Sequence, residues 1–481
     1  MLKASLSYDR GTIVIRGMAH APYATFDPRT DSLRAPALHY SALLEYMRQS
    51  DIECKDSVLD LLPSEHLAAE KLALRDYQEK ALDSWTRAGM RGCVVLPTGS
   101  GKTVIAVKAV EKVNSSALVV VPTLDLMAQW TDVLSKYYPN AKIGNLGGGS
   151  DDIQALTVAT YDSAYIRAPL LGNKFSLVIF DEVHHLAAPG FRSIAEQMAA
   201  PYRLGLTATI EREDEMHKDI PKLVGGIVFQ ASPTMLAKDK HLAQFIVERR
   251  QIEMTDEEKE EYQRNFGIYQ TCLKKLGLRM QYAGAFRRLI MMSGKNSVAR
   301  EGLLARNKAM QVALNSKSKI EELKEIFAEN RGLKTLVFTQ HNSLVYDISD
   351  KFLIPSITYK TPKEERRDVL AGFREGRYLA IVTSKVLDEG VDVPEAELGV
   401  ILSGTGSGRE FIQRLGRLLR PKKDTSKKAR LIEITSSETR EIGSSVKRKK
   451  ALSRLNSDNK NSSISASTTQ LSSASSGGGG E

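Results

Sequence analysis

Residues 92–103 read Gly-Cys-Val-Val-Leu-Pro-Thr-Gly-Ser-Gly-Lys-Thr. An apolar run, Cys93–Leu96, is short enough to be a buried strand. Thr98, Gly99, Ser100 and Gly101 form a tight turn, and Lys102 and Thr103 open a helical stretch over Val104–Val113. In that order the backbone N–H groups of the turn and of the helix N-terminus converge on one anion. Lys102 is placed to reach the terminal phosphates of a nucleoside triphosphate, and the Thr103 hydroxyl to join the shell of a magnesium ion. The position six before the lysine is Leu96, where the general phosphate-loop pattern has glycine.

A second cluster completes a hydrolytic chemistry. Leu177–Phe180 is an apolar strand that delivers Asp181, Glu182, Val183 and His184 at its carboxyl end. Asp181, with Glu182 beside it, suits a magnesium ion held directly or through water. Glu182 suits the base that orients and deprotonates the attacking water. Charge developing on the γ-phosphate calls for an arginine from another element. Gln413-Arg-Leu-Gly-Arg-Leu-Leu-Arg420 offers Arg417 and Arg420, three apart and so on one helix face. Upstream, Arg75 and Gln78 lie one turn apart. The Gln78 amide, both donor and acceptor, suits an adenine edge.

Alternating elements must position these residues. Ala117–Val121 is a strand ending at Pro122-Thr123, followed by a helix through Leu126, Gln129 and Trp130. Residues 144–151 read as a Gly-rich loop, and Leu156–Thr160 and Leu204–Thr209 as further strands. Near-continuous apolar strands between helices predict a parallel sheet covered on both faces. Lys102, Asp181 and Thr207 fall at carboxyl strand ends, where such sheets bind ligands.

Around this core the chain divides. Residues 1–70 read as a small α+β domain: strands Leu2–Ser7 and Thr12–Arg16 flank a Tyr8–Gly11 turn, Phe26–Arg29 breaks regular structure, and residues 37–49 are helical. The first α/β domain occupies 71–225. Residues 226–315 read as a helical insertion. A capping box at Thr255–Glu258 opens its helix to Met280, and Ala283–Leu314 carries Arg287, Arg288, Lys295, Arg300, Arg306 and Lys308. That basic face either touches nucleic acid or is simply solvated. Residues 316–440 form a second α/β domain without a phosphate loop, with strands from Thr335, Ser356, Leu379, Leu398 and Ala429. A helix there starts at Thr361-Pro362-Lys363-Glu364, Thr as cap and Pro first. The Ser-, Asn- and Gly-rich tail, 441–481, cannot bury a core and is expected to be disordered.

Composition narrows the partner. The 481-residue chain is 42% apolar, and no apolar run approaches the length of a membrane span. Three widely spaced cysteines form neither a disulfide framework nor a zinc pattern, and with no signal-like N-terminus a reducing, cytoplasmic setting is expected. Net charge is +10, concentrated over residues 409–450 with 14 Lys and Arg against 5 Asp and Glu. A basic surface of this density favours a polyanion.

In motif order the chain resembles the superfamily 2 helicases over about residues 70–435. Leu96–Thr103 is similar to motif I, Val121–Leu124 to Ia, Asp181–His184 to II and Leu206–Thr209 to III. Leu336–Gln340 is similar to IV, Thr383–Pro394 with Gly390 and Asp392 to V, and Gln413–Arg420 to VI. Arg212-Glu213-Asp214 after motif III, the insertion, and the Arg29…Arg34-Ala35-Pro36 stretch resemble the XPB branch, in its compact archaeal form. That resemblance implies two RecA-like domains, a thumb-like insertion and a small damage-recognition domain. It implies ATP and Mg2+ as cofactors and 3′→5′ DNA unwinding or duplex opening at single-strand/duplex junctions, in nucleotide excision repair and transcription. It further implies a nuclease or repair-factor partner. Carried onto this sequence, Lys102, Thr103, Asp181, Glu182, Gln413, Arg417 and Arg420 are the catalytic and metal set. Arg75, Gln78, Thr98–Thr103, Gly390 and Asp392 hold nucleotide. Pro122, Thr123, Arg212, Glu213, Asp214 and Thr383 face nucleic acid, with Glu213 and Asp214 wedging strands apart. His184 and Thr207–Thr209 couple hydrolysis to strand movement. Two rivals stay open: a double-stranded nucleic acid translocase that never separates strands, and a clamp that uses ATP only as a switch.

Overall fold

Three sheets collect the apolar runs. The computed structural model describes residues 3–64, 67, 69, 72–209, 216–232, 235–236, 245–280, 282, 284–384, 396–403, 429–439, 441 and 445–446. Among these the chain forms two compact units, one within residues 1–236 and one within 237–458.

The first unit begins with strands β1 (Lys3–Asp9), β2 (Thr12–Arg16), β3 (Thr25–Asp27), β4 (Ser32–Pro36) and β5 (Glu53–Ser57), and helix α1 (Tyr40–Gln49). The sheet order is β3-β4-β2-β1-β5. β1 runs to Asp9, which pairs with Thr12, so the hairpin turn is Arg10-Gly11 alone. Their φ values, 44° and 90°, are both positive, the requirement of a type I′ turn. Phe26 and Asp27, read in the sequence as a break, form β3 against β4, and the strand stops before Pro28, whose missing N–H cannot serve a ladder.

The parallel sheet follows, from α2 (Asp76–Arg87), β6 (Arg91–Val95), α3 (Lys102–Val113), β7 (Ala117–Val121), α4 (Leu124–Tyr137), β8 (Ile143–Gly147), β9 (Ser150–Asp151), β10 (Leu156–Thr160), α5 (Tyr161–Leu171), β11 (Leu177–Asp181), α6 (Arg192–Gln197), β12 (Tyr202–Thr207), α7 (Ile220–Leu223) and β13 (Ile227–Gln230). The strand order is β13-β6-β12-β11-β7-β10-β8-β9, parallel except for β8 and β9. Leu118, Val120, Val178 and Phe180 bury its interior. The expected loop at 144–151 is instead this β8–β9 hairpin. Its glycines, 147 to 149, all take positive φ in the turn, while Ile143–Leu146 pairs with β10. Glycine content alone hid the strand.

The small sheet is seated on the ends of α5 and α6. Tyr8 Oη lies 3.0 Å from Gln197 O and 3.1 Å from Pro169 O, and burial pushes its phenol up to about 12. Asn173 Nδ2 donates to Val58 O at 3.1 Å, and Ala199 joins the small sheet's core. A Cβ at Gly172 would stand 2.0 Å from Tyr8 Oη and 2.2 Å from Gln197 O, so only glycine fits beneath the tyrosine.

The second unit holds β14 (Phe245–Ile252), α8 (Asp256–Lys275), α9 (Ala285–Ser293), α10 (Ser297–Leu314), α11 (Lys317–Glu329), β15 (Thr335–Phe338), α12 (Asn342–Phe352), β16 (Ser356–Ile357), α13 (Lys363–Glu375), β17 (Ala380–Thr383), β18 (Leu398–Ile401) and β19 (Ala429–Ser436). Its sheet, β14-β19-β18-β15-β17-β16, is parallel throughout. Residues 226–315 are therefore not helical throughout. Ile227–Gln230 pairs with β6 in the first sheet and Phe245–Ile252 with β19 in the second. β14 escaped notice because it is an edge strand with polar faces. Its Arg250 pairs with Glu248, Glu322 and Glu329, and its Arg249 with Glu433. From Asp256 the stretch is helical. The Thr255–Glu258 capping box forms, at 3.2 and 3.3 Å, and the expected 283–314 helix is the two helices α9 and α10. Tyr269, Leu273, Leu289 and Ala299 pack between these helices. The start of α13 is displaced by one residue: Pro362 is the N-cap, and the Thr361 hydroxyl accepts Thr358 N–H at 2.9 Å instead of capping the helix.

Candidate nucleotide site

The turn after β6 is built on two left-handed glycines, Gly99 (φ 83°) and Gly101 (φ 78°). Gly101 is the N-cap of α3 and offers no side chain to its first turn, which leaves the helix N–H groups for an anion. A Cβ there would meet Gln78 Nε2 at 2.6 Å. The turn is braced from α2: Tyr77 Oη donates to Ser100 O at 2.5 Å and Gln78 Nε2 to the same oxygen at 3.1 Å. Gln78 Oε1 accepts Arg75 N–H at 2.9 Å, closing the start of its own helix. The buried Gln78 amide is thus engaged with the loop, and an adenine contact would exchange one of these bonds. Ser100 Oγ donates to Pro97 O, and Lys102 Nζ donates to Leu96 O at 3.1 Å, lying across the loop. Among the described residues the Thr98 hydroxyl, buried in the same loop, has no hydrogen-bond partner.

Two strands along, β11 ends at Asp181. Its Oδ2 accepts the Trp130 indole N–H at 2.8 Å, and its Oδ1 accepts Glu182 N–H at 3.0 Å. Burial pushes the Asp181 carboxyl above its ordinary range, and the Trp130 bond and the nearby Lys102 charge oppose that shift. Glu182 has φ 47° and ψ 55°, a left-handed conformation that is costly for a residue with a Cβ. That turn sends its carboxylate toward β12. Thr207 Oγ1 lies 3.2 Å from Glu182 Oε2, 3.2 Å from His184 Nδ1 and 2.7 Å from Thr209 O. The hydroxyl has one proton, so it can serve either Glu182 or its own strand.

Lys102, Asp181, Glu182, His184 and Thr207 therefore stand at the carboxyl end of one sheet. Trp130 joins them unforeseen. In sequence it reads as a core aromatic at helical spacing, and only the fold brings its N–H to Asp181. Oxygen donors of the Thr103 and Asp181 type suit a hard cation that keeps its waters and phosphate ligands. A cation would also offset the cost of ionising the buried Asp181 carboxyl.

The nucleic-acid candidates separate. Thr123 caps α4, its hydroxyl accepting Leu126 N–H at 3.2 Å, with Pro122 half-buried beside it. Thr383 is fully buried at the end of β17 and donates to Ser384 O, so its hydroxyl faces the interior rather than a strand of nucleic acid. Arg212, Glu213, Asp214, Gly390, Asp392, Gln413, Arg417 and Arg420 lie outside the described residues. No described helix is long and apolar enough to cross a membrane.

Residues 6–58 match the xeroderma pigmentosum group B helicase damage recognition domain, 71–212 the res subunit of type III restriction enzymes, and 303–456 the ERCC3/RAD25/XPB C-terminal helicase. The DNA 3′-5′ translocase XPB2 of Sulfurisphaera tokodaii is 44% identical over 434 residues, 90% of this chain and 97% of that protein. A Saccharomyces cerevisiae protein, the general transcription and DNA repair factor IIH helicase/translocase subunit XPB/SSL2, is 28% identical over 86% of this chain, which spans 47% of it. The Pyrococcus furiosus Hef helicase domain shares the fold, with a TM-score of 0.51 at 19% identity, covering 78% of this chain and 98% of that one.

Proposed function

This chain belongs to the XPB family of superfamily 2 helicases, and we propose that it is a DNA-dependent ATPase that opens duplex DNA with 3′→5′ polarity. The observation that carries the reading is the meeting of the Lys102 helix start, the Asp181 carboxylate and the strained Glu182 at the carboxyl end of one sheet. In this reading the loop from Thr98 to Thr103 binds the phosphates, and Arg75 and Gln78 flank the base. Thr103 and Asp181 would hold Mg2+, which supplies charge neutralisation on the phosphates. Lys102 lies along the phosphate chain. Glu182 takes a proton from the attacking water, and its link through Thr207 to His184 reports that proton to β12. Arg417 and Arg420, with Gln413, complete the charge stabilisation, and Gly390 and Asp392 hold nucleotide. Pro122, the backbone at Thr123 and Arg212–Asp214 meet DNA at a junction, the Thr123 hydroxyl being held in its helix cap. The proposed domains are 1–70 for damage recognition, 71–230 and about 316–440 as RecA-like modules, with a thumb-like insertion between them. The proposed setting is nucleotide excision repair or transcription, with a nuclease or repair-factor partner; what supports it is that the relatives' names carry transcription, DNA repair and damage recognition.

ATP turnover on single-stranded DNA tests this directly. Glu182→Gln and Arg417→Ala should each lower it by about a thousandfold; near-wild-type rates in either would remove the assignment.

A second reading has its own support, since the tokodaii relative is named a translocase and residues 71–212 match a restriction-type motor. Strand displacement measured beside triplex displacement separates the two: a pure translocase strips the triplex and leaves the duplex paired.

A further inference from the structure

In the second unit, Lys319 on α11 and Glu441 beyond β19 are 0% and 1% exposed. Lys319 Nζ donates to both carboxylate oxygens of Glu441, at 2.7 and 2.8 Å, and to Leu402 O at 2.7 Å. All three ammonium protons have acceptors. Glu441 Oε2 also accepts Ser436 N–H at 3.0 Å, and Ser436 Oγ donates to Ala313 O at 2.8 Å. At the N-terminus of α11, Glu258 at the start of α8 accepts from Ser316 Oγ at 2.7 Å and from Lys317 N–H at 2.9 Å. One network thus gathers the first turn of α8, the last turn of α10, the first turns of α11, and the carboxyl ends of β18 and β19.

Two junctions of the chain meet on this network. α8 and α10 are where the helical insertion leaves and rejoins the sheet. Leu402 and Ser403 are where the chain runs from β18 into the stretch that contains Gln413, Arg417 and Arg420. That end is pinned a second time, by Gln340 N–H on Ser403 Oγ at 2.8 Å. Stability does not explain the pair. Removing two charges from water costs several kcal/mol each, and well-packed apolar residues usually serve as well. What an apolar pair cannot do is fix a carbonyl at a strand end against a helix start by directional bonds.

We propose that the buried Lys319–Glu441 pair is a positioning element that ties the root of the helical insertion to the strand end feeding the arginine-bearing stretch. It passes the insertion's engagement with DNA to the arginines that speed hydrolysis. This rests on the reading of Arg417 and Arg420 given above, and on nucleic acid meeting the basic face of the insertion.

Lys319→Met/Glu441→Gln tests it in the full-length protein. Removing both charges together avoids an uncompensated buried ion, and the amide that Glu441→Gln introduces still accepts Ser436 N–H. The expected result is an ATP KM within about twofold of wild type and a kcat ratio, with over without single-stranded DNA, lower by about tenfold. An unchanged ratio overturns the proposal. So does a fall in the ratio accompanied by a parallel rise in KM and a lower melting temperature, which reports general loosening. Arg417→Ala measured alongside separates the two layers: if it leaves turnover intact, the functional reading fails; if it abolishes turnover while the double variant keeps its ratio, only the role of the pair fails.

Discussion

After β6 the chain turns through residues 96–101, with two left-handed glycines, and enters α3 with its first N–H groups uncapped by any side chain. After β15 it turns through residues 339–341 alone, with no positive φ, into α12. There the polar groups close on the sheet itself: Thr339 N–H donates to Thr383 O at 2.9 Å, Thr339 Oγ1 to His341 O at 2.9 Å, and Gln340 N–H to Ser403 Oγ at 2.8 Å. The two strands and helices are alike, and the turn decides which can cradle a phosphate. A longer turn with glycine φ freedom leaves N–H groups pointing outward. A short one spends them inward.

The comparison breaks most severely if nucleotide chemistry depends equally on both turns. Lys102→Ala should reduce ATP turnover by about a hundredfold or more, while Thr339→Ala in the second turn should leave the ATP dissociation constant unchanged. Steady-state phosphate release and nucleotide titration read both, and a comparable loss of ATP binding in Thr339→Ala would end the distinction.

A smaller effect probes the acid pair. Asp181 has its folded pKa above the unfolded value because of burial, so its ionised form costs stability that is recovered as pH falls through the folded value. The Trp130 bond opposes that shift. In Trp130→Phe the carboxyl should therefore titrate higher still. The acid limb of the kcat profile should move up in pH, with turnover falling on the acid side of the profile. A profile of kcat from pH 5 to 9 with an unmoved limb would show that Asp181 does not set it.

The smallest effect sharpens the role of Thr123. As a helix cap it is worth about 1 kcal/mol, so Thr123→Ala should melt a few degrees lower with unchanged affinity for single-stranded DNA. A weaker DNA complex at unchanged stability would restore the hydroxyl as a contact.

Much of this was legible in the residues. The phosphate loop, the acidic strand end and the helix cap at Thr255 depend on local spacing, which sequence carries. β14 was not legible, because FIVERRQI is neither a continuous apolar run nor a clean alternation and becomes a strand only by pairing along β19. Trp130 was not, because its partner lies 51 residues away. The direction of the Thr383 hydroxyl was not, because motif position says nothing about which way a hydroxyl turns at the end of a buried strand.

Gly172 caps the end of α5, a helix of the ATPase module, yet its lack of a side chain is dictated by Tyr8 in the small N-terminal sheet. The two are paired across 164 positions of sequence like a key and its ward. Transplanting the N-terminal sheet onto another motor would require glycine at the equivalent of position 172, and swapping only the motor would leave Tyr8 standing against a Cβ. The recombination boundary of this protein is therefore not the linker between the two sheets but a seam that runs through the helix end beneath the tyrosine.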